Sequence, residues 1–146
     1  MISFQRLLGR EDEFFGLLEA SAAECVASIA ALRAVLAGSG EEPALAAFAA
    51  ARRKDKEITQ KLEEMLIHVF VTPIEREDIE ELADKLYKIP KVAEKFAERY
   101  ALVFERVADV RFDGQAEALQ SAVGLLRQMV AALHKADIAT IKSKQS

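Results

Sequence analysis

The sequence predicts an all-α fold, an antiparallel up-and-down bundle of about four long helices, on three observations. Apolar residues recur at alternating steps of three and four over most of the chain, the spacing that lays them on one face of a helix. Six glycines and three prolines in 146 residues are too few turn formers for a chain of many short strands. The connections between periodic stretches are short, which sets successive helices antiparallel. No stretch of useful length alternates with a strand's period of two.

The first helix begins at Glu11-Asp12-Glu13, and its seam runs Phe14, Leu18, Ala22, Cys25, Ile29, Leu32 and Leu36. It stops at Ala37-Gly38-Ser39-Gly40, where a glycine can take the left-handed conformation just past a helix end. A second helix follows Pro43, with Leu45, Phe48, Asp55, Ile58, Leu62, Met65 or Leu66, and Val69 inward. Its middle is anomalous. Arg52-Arg53-Lys54-Asp55-Lys56 interrupts the seam, and Asp55 falls where the spacing from Ile58 and Leu62 asks for an apolar residue. Either that helix end projects beyond the core, or a polar cluster is held inside it with each charge partnered.

The stretch Val69 to Ile79 is the corner on which the chain turns. Thr72 has the side chain of an N-cap, Pro73 suits the first helical position, and Glu75 stands three residues after Thr72, which together read as a capping box. Glu77 and Asp78 complement the positive end of the helix dipole. From that cap a third helix carries the most regular seam: Ile79, Leu82, Leu86, Ile89, Ala93, Phe96, Tyr100, Val103, Val107 and Val110. Pro90 lies inside it, one residue off the seam, where it is expected to kink the helix around its neighbours. Arg111-Phe112-Asp113-Gly114 breaks the pattern, with Asp113 as a cap. The fourth helix follows with Ala116, Leu119, Val123, Leu126, Val130 and Leu133, then less regularly Ile138 and Ile141, and Lys142–Ser146 is expected to fray.

At 51% apolar residues, the chain can bury one sizeable core, so residues 1–146 are read as a single domain. A net charge of −4 and a pI near 5.3 give no overall footprint for nucleic acid. The lone Cys25 cannot form an internal disulfide or a multi-cysteine zinc site, and on the seam it reads as a small buried hydrophobe. The first residues make a poor signal peptide, and no uninterrupted apolar run approaches the roughly 20 residues of a spanning helix. The expectation is a cytoplasmic protein without membrane insertion.

Catalytic chemistry has no motif to stand on. His68 and His134 have Met65 and Ala131 three residues before them, not the Glu of a Glu-x-x-His di-iron pair, and neither is expected to bind metal. Phosphate-binding glycine loops and a nucleophile elbow are absent. The reading is a protein that is not an enzyme and needs no cofactor.

The corner Phe70-Val71-Thr72-Pro73-Ile74-Glu75-Arg76-Glu77-Asp78-Ile79 resembles, nearly residue for residue, the Phe-x-Thr-Pro-Ile/Phe-Asp/Glu-Arg-Glu-Asp-Ile signature of the PhoU-like family. The branch is the one that accompanies Pit-type inorganic phosphate permeases. Glu57-Ile58-Thr59 upstream and Glu11-Asp12-Glu13-Phe14-Phe15 at the first helix extend the likeness over roughly residues 10 to 110. The resemblance implies a cytoplasmic helical bundle, usually dimeric, of a three-helix unit repeated twice, which regulates phosphate uptake at the membrane. It makes Thr72, Pro73, Glu75, Arg76, Glu77 and Asp78 a structural signature. This chain holds about four helices, so the second repeat is incomplete.

Some members of that family bind metal clusters through Glu/Asp-x-x-x-Asp motifs, and here the pattern is degraded. Anchored on Ile58-Thr59, the acidic positions fall on Arg52 and Lys56; anchored on the seam, they fall on Ala51 and Asp55. Where the third helix of the family reads Leu-Asp-Asp-x-x-Asp, this chain has Leu86-Tyr87-Lys88-Ile89-Pro90-Lys91. Ammonium and guanidinium groups offer a cation no lone pair. Asp55 and Asp84 are the residual carboxylate candidates. Arg52, Lys56, Lys88 and Lys91 instead compose a candidate surface for an anion or an acidic partner, or pair with helix acids such as Glu57 and Glu94.

The resemblance thus implies a non-enzymatic accessory protein that contacts the cytoplasmic face of an inorganic phosphate permease, at the inner side of the membrane. The alternatives are an ion-binding bundle, or a structural homodimerisation module whose exposed seam drives self-association.

Overall fold

One helix organises the molecule. The computed structural model describes residues 4–38 and 45–144, with α1 at Phe4–Ala37, α2 at Ala46–His68, α3 at Arg76–Val103 and α4 at Asp113–Lys144. A short 3-10 turn, Phe104–Arg106, follows α3, and no strand occurs among the described residues. The all-α bundle is as expected. Each of α2, α3 and α4 packs against α1; α2 and α3 also pack against each other, while among the described residues α4 packs closely against no helix but α1.

That arrangement decides how wide each apolar stripe must be. α1 is contacted on several sides, so it buries Phe14, Phe15, Leu18, Ala22, Cys25, Ile29, Leu32 and Val35, along with Ser21, Glu24 and Ser28. Each large apolar side chain removed from water contributes roughly 1.5–3 kcal/mol. Over Gly9–Ala37 the helix is also apolar and long enough to cross a membrane by composition. Three helices pack on it, and 44% of its most apolar window is buried by them. By contrast α4, with a single partner, buries Ala116, Val123 and Val130, one residue every two turns. Leu119 and Leu133, on its predicted seam, remain partly exposed, at 44% and 39%.

On α2 the predicted inner face is the observed one: Phe48, Asp55, Ile58, Leu62, Leu66 and Val69 are all buried. The third helix differs from expectation in three ways. First, it starts at Arg76, with Glu75 at the N-cap making no side-chain cap bond. The Thr72 hydroxyl donates to the Ile74 carbonyl at 2.7 Å, so no capping box forms and Pro73 precedes the helix. A side chain bonded into its own turn is the usual competitor of a cap. Second, the helix ends at Val103, and Val110 is exposed in the connection. Third, Pro90 is buried on the inner face rather than beside it. Beyond it the core positions become Ala93, Ala97 and Tyr100, and Phe96 turns outward.

The boundaries of the other helices shift too. α1 begins by Phe4 rather than at Glu11. Gly38 closes it, its backbone N–H donating a hydrogen bond to the Val35 carbonyl at 3.4 Å, without a left-handed backbone. Pro43 and Gly40 lie outside the described residues. Asp113 is the first residue of α4, and its carboxylate pairs with Arg111 at 2.9 Å.

Candidate functional site

The polar groups of the bundle gather where α2 crosses between α1 and α3. Asp55 is fully buried, and Arg52, one turn earlier, reaches it with Nη1 at 2.9 Å from Oδ2. The same guanidinium donates through Nη2 to the Tyr87 hydroxyl at 2.9 Å and lies 3.3 Å from Glu94 through Nε. Its carbon sits 4.5 Å from the centre of the Tyr87 ring, a cation–π contact. Arg52 therefore joins α2 to α3. On the other flank the Lys54 ammonium lies 2.6 Å from the Glu24 carboxylate of α1.

Burial is the main reason that the Asp55 carboxyl is pushed up to about 6. The Arg52 charge opposes that shift, the Glu24 charge reinforces it, and the nearby Ser21 hydroxyl offsets it slightly. Asp55 Oδ1 and the hydroxyls of Ser21 and Ser28 nonetheless complete no hydrogen bond within ordinary geometry. Cys25 is buried beside them, its thiol donating to the Leu86 carbonyl at 3.3 Å. Burial first, then the charge of Asp55, pushes that thiol up to about 12, which leaves it a protonated hydrophobe rather than a nucleophile.

The predicted basic surface is divided among separate tasks. Arg52 is spent on Asp55, Tyr87 and Glu94, and Lys88 pairs with Asp84 at 2.6 Å. The Lys91 ammonium stands 5.9 Å from the Tyr87 ring centre, and Lys56 lines an open cleft between α2 and α3. Asp55 and Asp84, the residual carboxylates, thus each hold a cation of their own. Among the described residues no group of three or more His, Cys, Asp or Glu side chains is placed to bind a metal ion.

His134 fastens α4 to α1. Its ring stacks on Phe15 with centroids 4.9 Å apart; Nε2 lies 2.9 Å from Asp12 and Nδ1 3.2 Å from Glu19. The carboxylates address opposite ring edges, an arrangement that favours a doubly protonated ring and raises its pKa above the usual histidine value. His68 is exposed beside a shallow cleft that also includes Arg10, Glu13, Lys61 and Glu64.

The corner is held by a device that spacing alone does not reveal. The Arg76 guanidinium donates to the carbonyl of Leu66 and, at 2.8 Å, to that of Val69, satisfying the open C-terminal end of α2 from the first residue of α3. The turn it braces presents Ile67, Phe70 and Val71 to solvent. Seam spacing likewise does not name Ser21 and Glu24 as the α1 groups that act on Asp55, or Ser28 as a buried hydroxyl near the same face. Their three-four spacing on α1, beside the apolar seam, is the signal that marks them.

Comparison with models of protein families, with curated proteins and with solved structures finds no match to this chain.

Proposed function

We propose that the chain is a non-enzymatic accessory protein of inorganic phosphate transport, acting through contact with the cytoplasmic face of a phosphate permease. The observation that carries the contact reading is what the fold leaves unsatisfied. Its interior charges are consumed in pairs, Arg52 with Asp55 and Glu94, and Lys54 with Glu24. Large apolar side chains stay open as well: Ile67, Phe70, Val92, Leu102, Leu125 and Met129 are exposed. Such surface belongs to binding rather than to bond making. The choice of partner rests on the resemblance of Phe70–Ile79 to the PhoU-like signature. The chain, tagged and isolated from the membranes of its own cell, is expected to bring the permease with it, and its deletion is expected to change phosphate uptake. Absence of the permease, with unchanged uptake, overturns the reading.

A second reading, a homodimerisation module, is favoured by the open side of α4. A groove of about 510 Å³ between α1, α3 and α4 is floored by Ile29, Leu32 and Ala93 and lipped by Val92, Phe96 and Leu119. A second copy laid against that side would cover it.

A further inference from the structure

The corner and the cleft beside it carry a more specific surface. Between α2 and α3 lies an open cleft of about 780 Å³, with Leu62, Leu66, Ile67 and Ala83 as its apolar part. Glu63, Glu80 and Asp84 also line it. At its corner end Ile67 is 77% exposed, Val71 57%, and Phe70 completely so. A phenyl ring wholly in water on a loop is not required by the fold, because Val69 is the corner residue that enters the core.

The turn is also braced. Arg76 ties it to the Leu66 and Val69 carbonyls, Thr72 bonds to Ile74, and Ile74 packs on the core. Phe70 is thus displayed on a fixed support, which lowers the ordering cost of binding. Buried aromatic anchors ringed by polar contacts are where binding energy concentrates.

Charge identifies the occupant. Glu63 and Glu64 precede the turn, Glu75, Glu77 and Asp78 follow it, and all five are exposed. Over residues 61–81 only Lys61 and Arg76 oppose them, and Arg76 is engaged with carbonyls. Lys56 is the remaining cation on the cleft wall. An anionic bilayer would be repelled by that field. A second copy paired at this corner by a two-fold axis would set the same acids face to face. A basic segment meets neither obstacle.

We propose that the α2–α3 cleft and its Ile67–Phe70–Val71 knuckle dock a basic amphipathic segment of a partner protein. Its apolar face covers Phe70, Ile67 and the cleft floor, and its Lys or Arg side chains meet Glu63, Glu80 and the acids of the first turn of α3. Cytoplasmic loops of membrane proteins are enriched in Lys and Arg next to apolar spans, so this surface deepens the permease reading and rests on it for the identity of the partner.

The test places 4-fluorophenylalanine at position 70 of the full chain and follows its fluorine resonance. The probes are a helical Lys/Leu peptide, a Glu/Leu peptide of equal length, phosphatidylglycerol vesicles, dilution of the protein itself, and the host's phosphate permease in nanodiscs. The resonance is expected to move with the Lys/Leu peptide and the permease and to ignore the other three. Calorimetric titration of unlabelled chains reads the affinities, and Phe70→Ala and the double variant Glu63→Lys/Glu80→Lys are each expected to weaken both interactions about tenfold or more. Since all three side chains are exposed, their melting temperatures are expected to match the parent. A resonance moved by vesicles assigns the knuckle to membrane, and one moved by dilution assigns it to self-association; either overturns the proposal. So does a silent Lys/Leu peptide, or affinity indifferent to both variants. If the permease binds unaffected by the variants, the proposal falls and the accessory reading stands. If the peptide engages Phe70 and the permease does not, the docking surface stands and the accessory reading falls.

Discussion

Arg52 holds Asp55 inside the bundle: its guanidinium lies 2.9 Å from a carboxylate that has no exposure to solvent, while its remaining donors face Tyr87 and Glu94 on α3. Removing a partner from a buried pair leaves an uncompensated charge, a larger loss than the net worth of the pair. Arg52→Met is therefore expected to cost about 2–3 kcal/mol, below the range for fully enclosed pairs because Arg52 keeps some exposure and Asp55 can take up a proton. Urea unfolding followed by circular dichroism reads it, and a loss under about 0.5 kcal/mol, a typical surface effect, contradicts the account.

The same carboxyl sets a pH dependence with a definite sign. Its folded pKa, about 6, is raised above the ordinary aspartate value near 4, so between those pH values the folded chain binds more proton than the unfolded one. The Asp55 contribution is most favourable below about pH 4 and is lost as pH rises to 6 and beyond. Asp55→Asn abolishes that titration. The stability of the parent relative to Asp55→Asn is expected to improve as pH falls from 7 to 4.5, and a gap independent of pH contradicts the burial argument.

His134 supplies a term that is lost as pH rises. Its pKa is raised, first by the bond to Asp12, so the stability it gives is complete below the unfolded value near 6.5 and disappears as pH climbs through the higher folded value. Because α4 packs on α1 alone, the loss should be felt at that interface. Between pH 6 and 8 the parent is expected to lose melting temperature relative to His134→Gln. Hydrogen-exchange protection of α4, taken relative to the intrinsic base-catalysed rate at each pH, is expected to fall over the same range in the parent only.

Much of this was legible in the sequence, for identifiable reasons. Asp55 announces itself because a charge on a three-four seam must be either expelled or partnered, and the burial of Phe48, Ile58 and Leu62 around its register rules out expulsion. Partner choice is less legible. Arg52, Lys54 and Lys56 sit in one charged run, and only the crossing of α2 over α1 and α3 sends Lys54 to Glu24 and Arg52 to Tyr87. The corner misled for a local reason: Thr72, Pro73 and Glu75 have cap spacing, but the hydroxyl finds the Ile74 carbonyl and the helix waits until Arg76. An exposed seam was legible, but that it falls on α4 was not, since an apolar stripe states that something covers it and not which helix does.

Arg76 is expected to matter more for the corner than any capping side chain. It closes two carbonyls at the end of α2, one of them at 2.8 Å, and charge-assisted bonds contribute roughly 1.5–3 kcal/mol each before the discount for partial exposure. Arg76→Ala is expected to destabilise by about 2 kcal/mol, with faster amide exchange near the corner. Arg76→Lys is expected to recover only part, because an ammonium lacks the planar fork that spans both oxygens. By contrast Thr72→Val, which loses one bond within a turn, is expected to cost about 1 kcal/mol or less. The reverse order would return the corner to a capping account.

Self-association follows from the one-sided packing of α4. Leu125 and Met129 are exposed on it, and the groove it forms with α1 and α3 keeps Val92, Phe96 and Leu119 in water. Exposed apolar surface on the groove and on α4 is costly for an isolated chain, and a second copy removes part of it without the acid-on-acid contact that pairing through the Phe70 corner would impose. Light scattering is expected to report a dimer or larger at tens of micromolar, with Met129→Glu and Phe96→Glu shifting the protein toward monomer. The Phe70→Ala variant is expected to retain the parent's mass, which separates this face from the corner. A parent chain that is monomeric throughout removes the homodimer reading, and loss of the oligomer in Phe70→Ala relocates the interface to the α2–α3 turn.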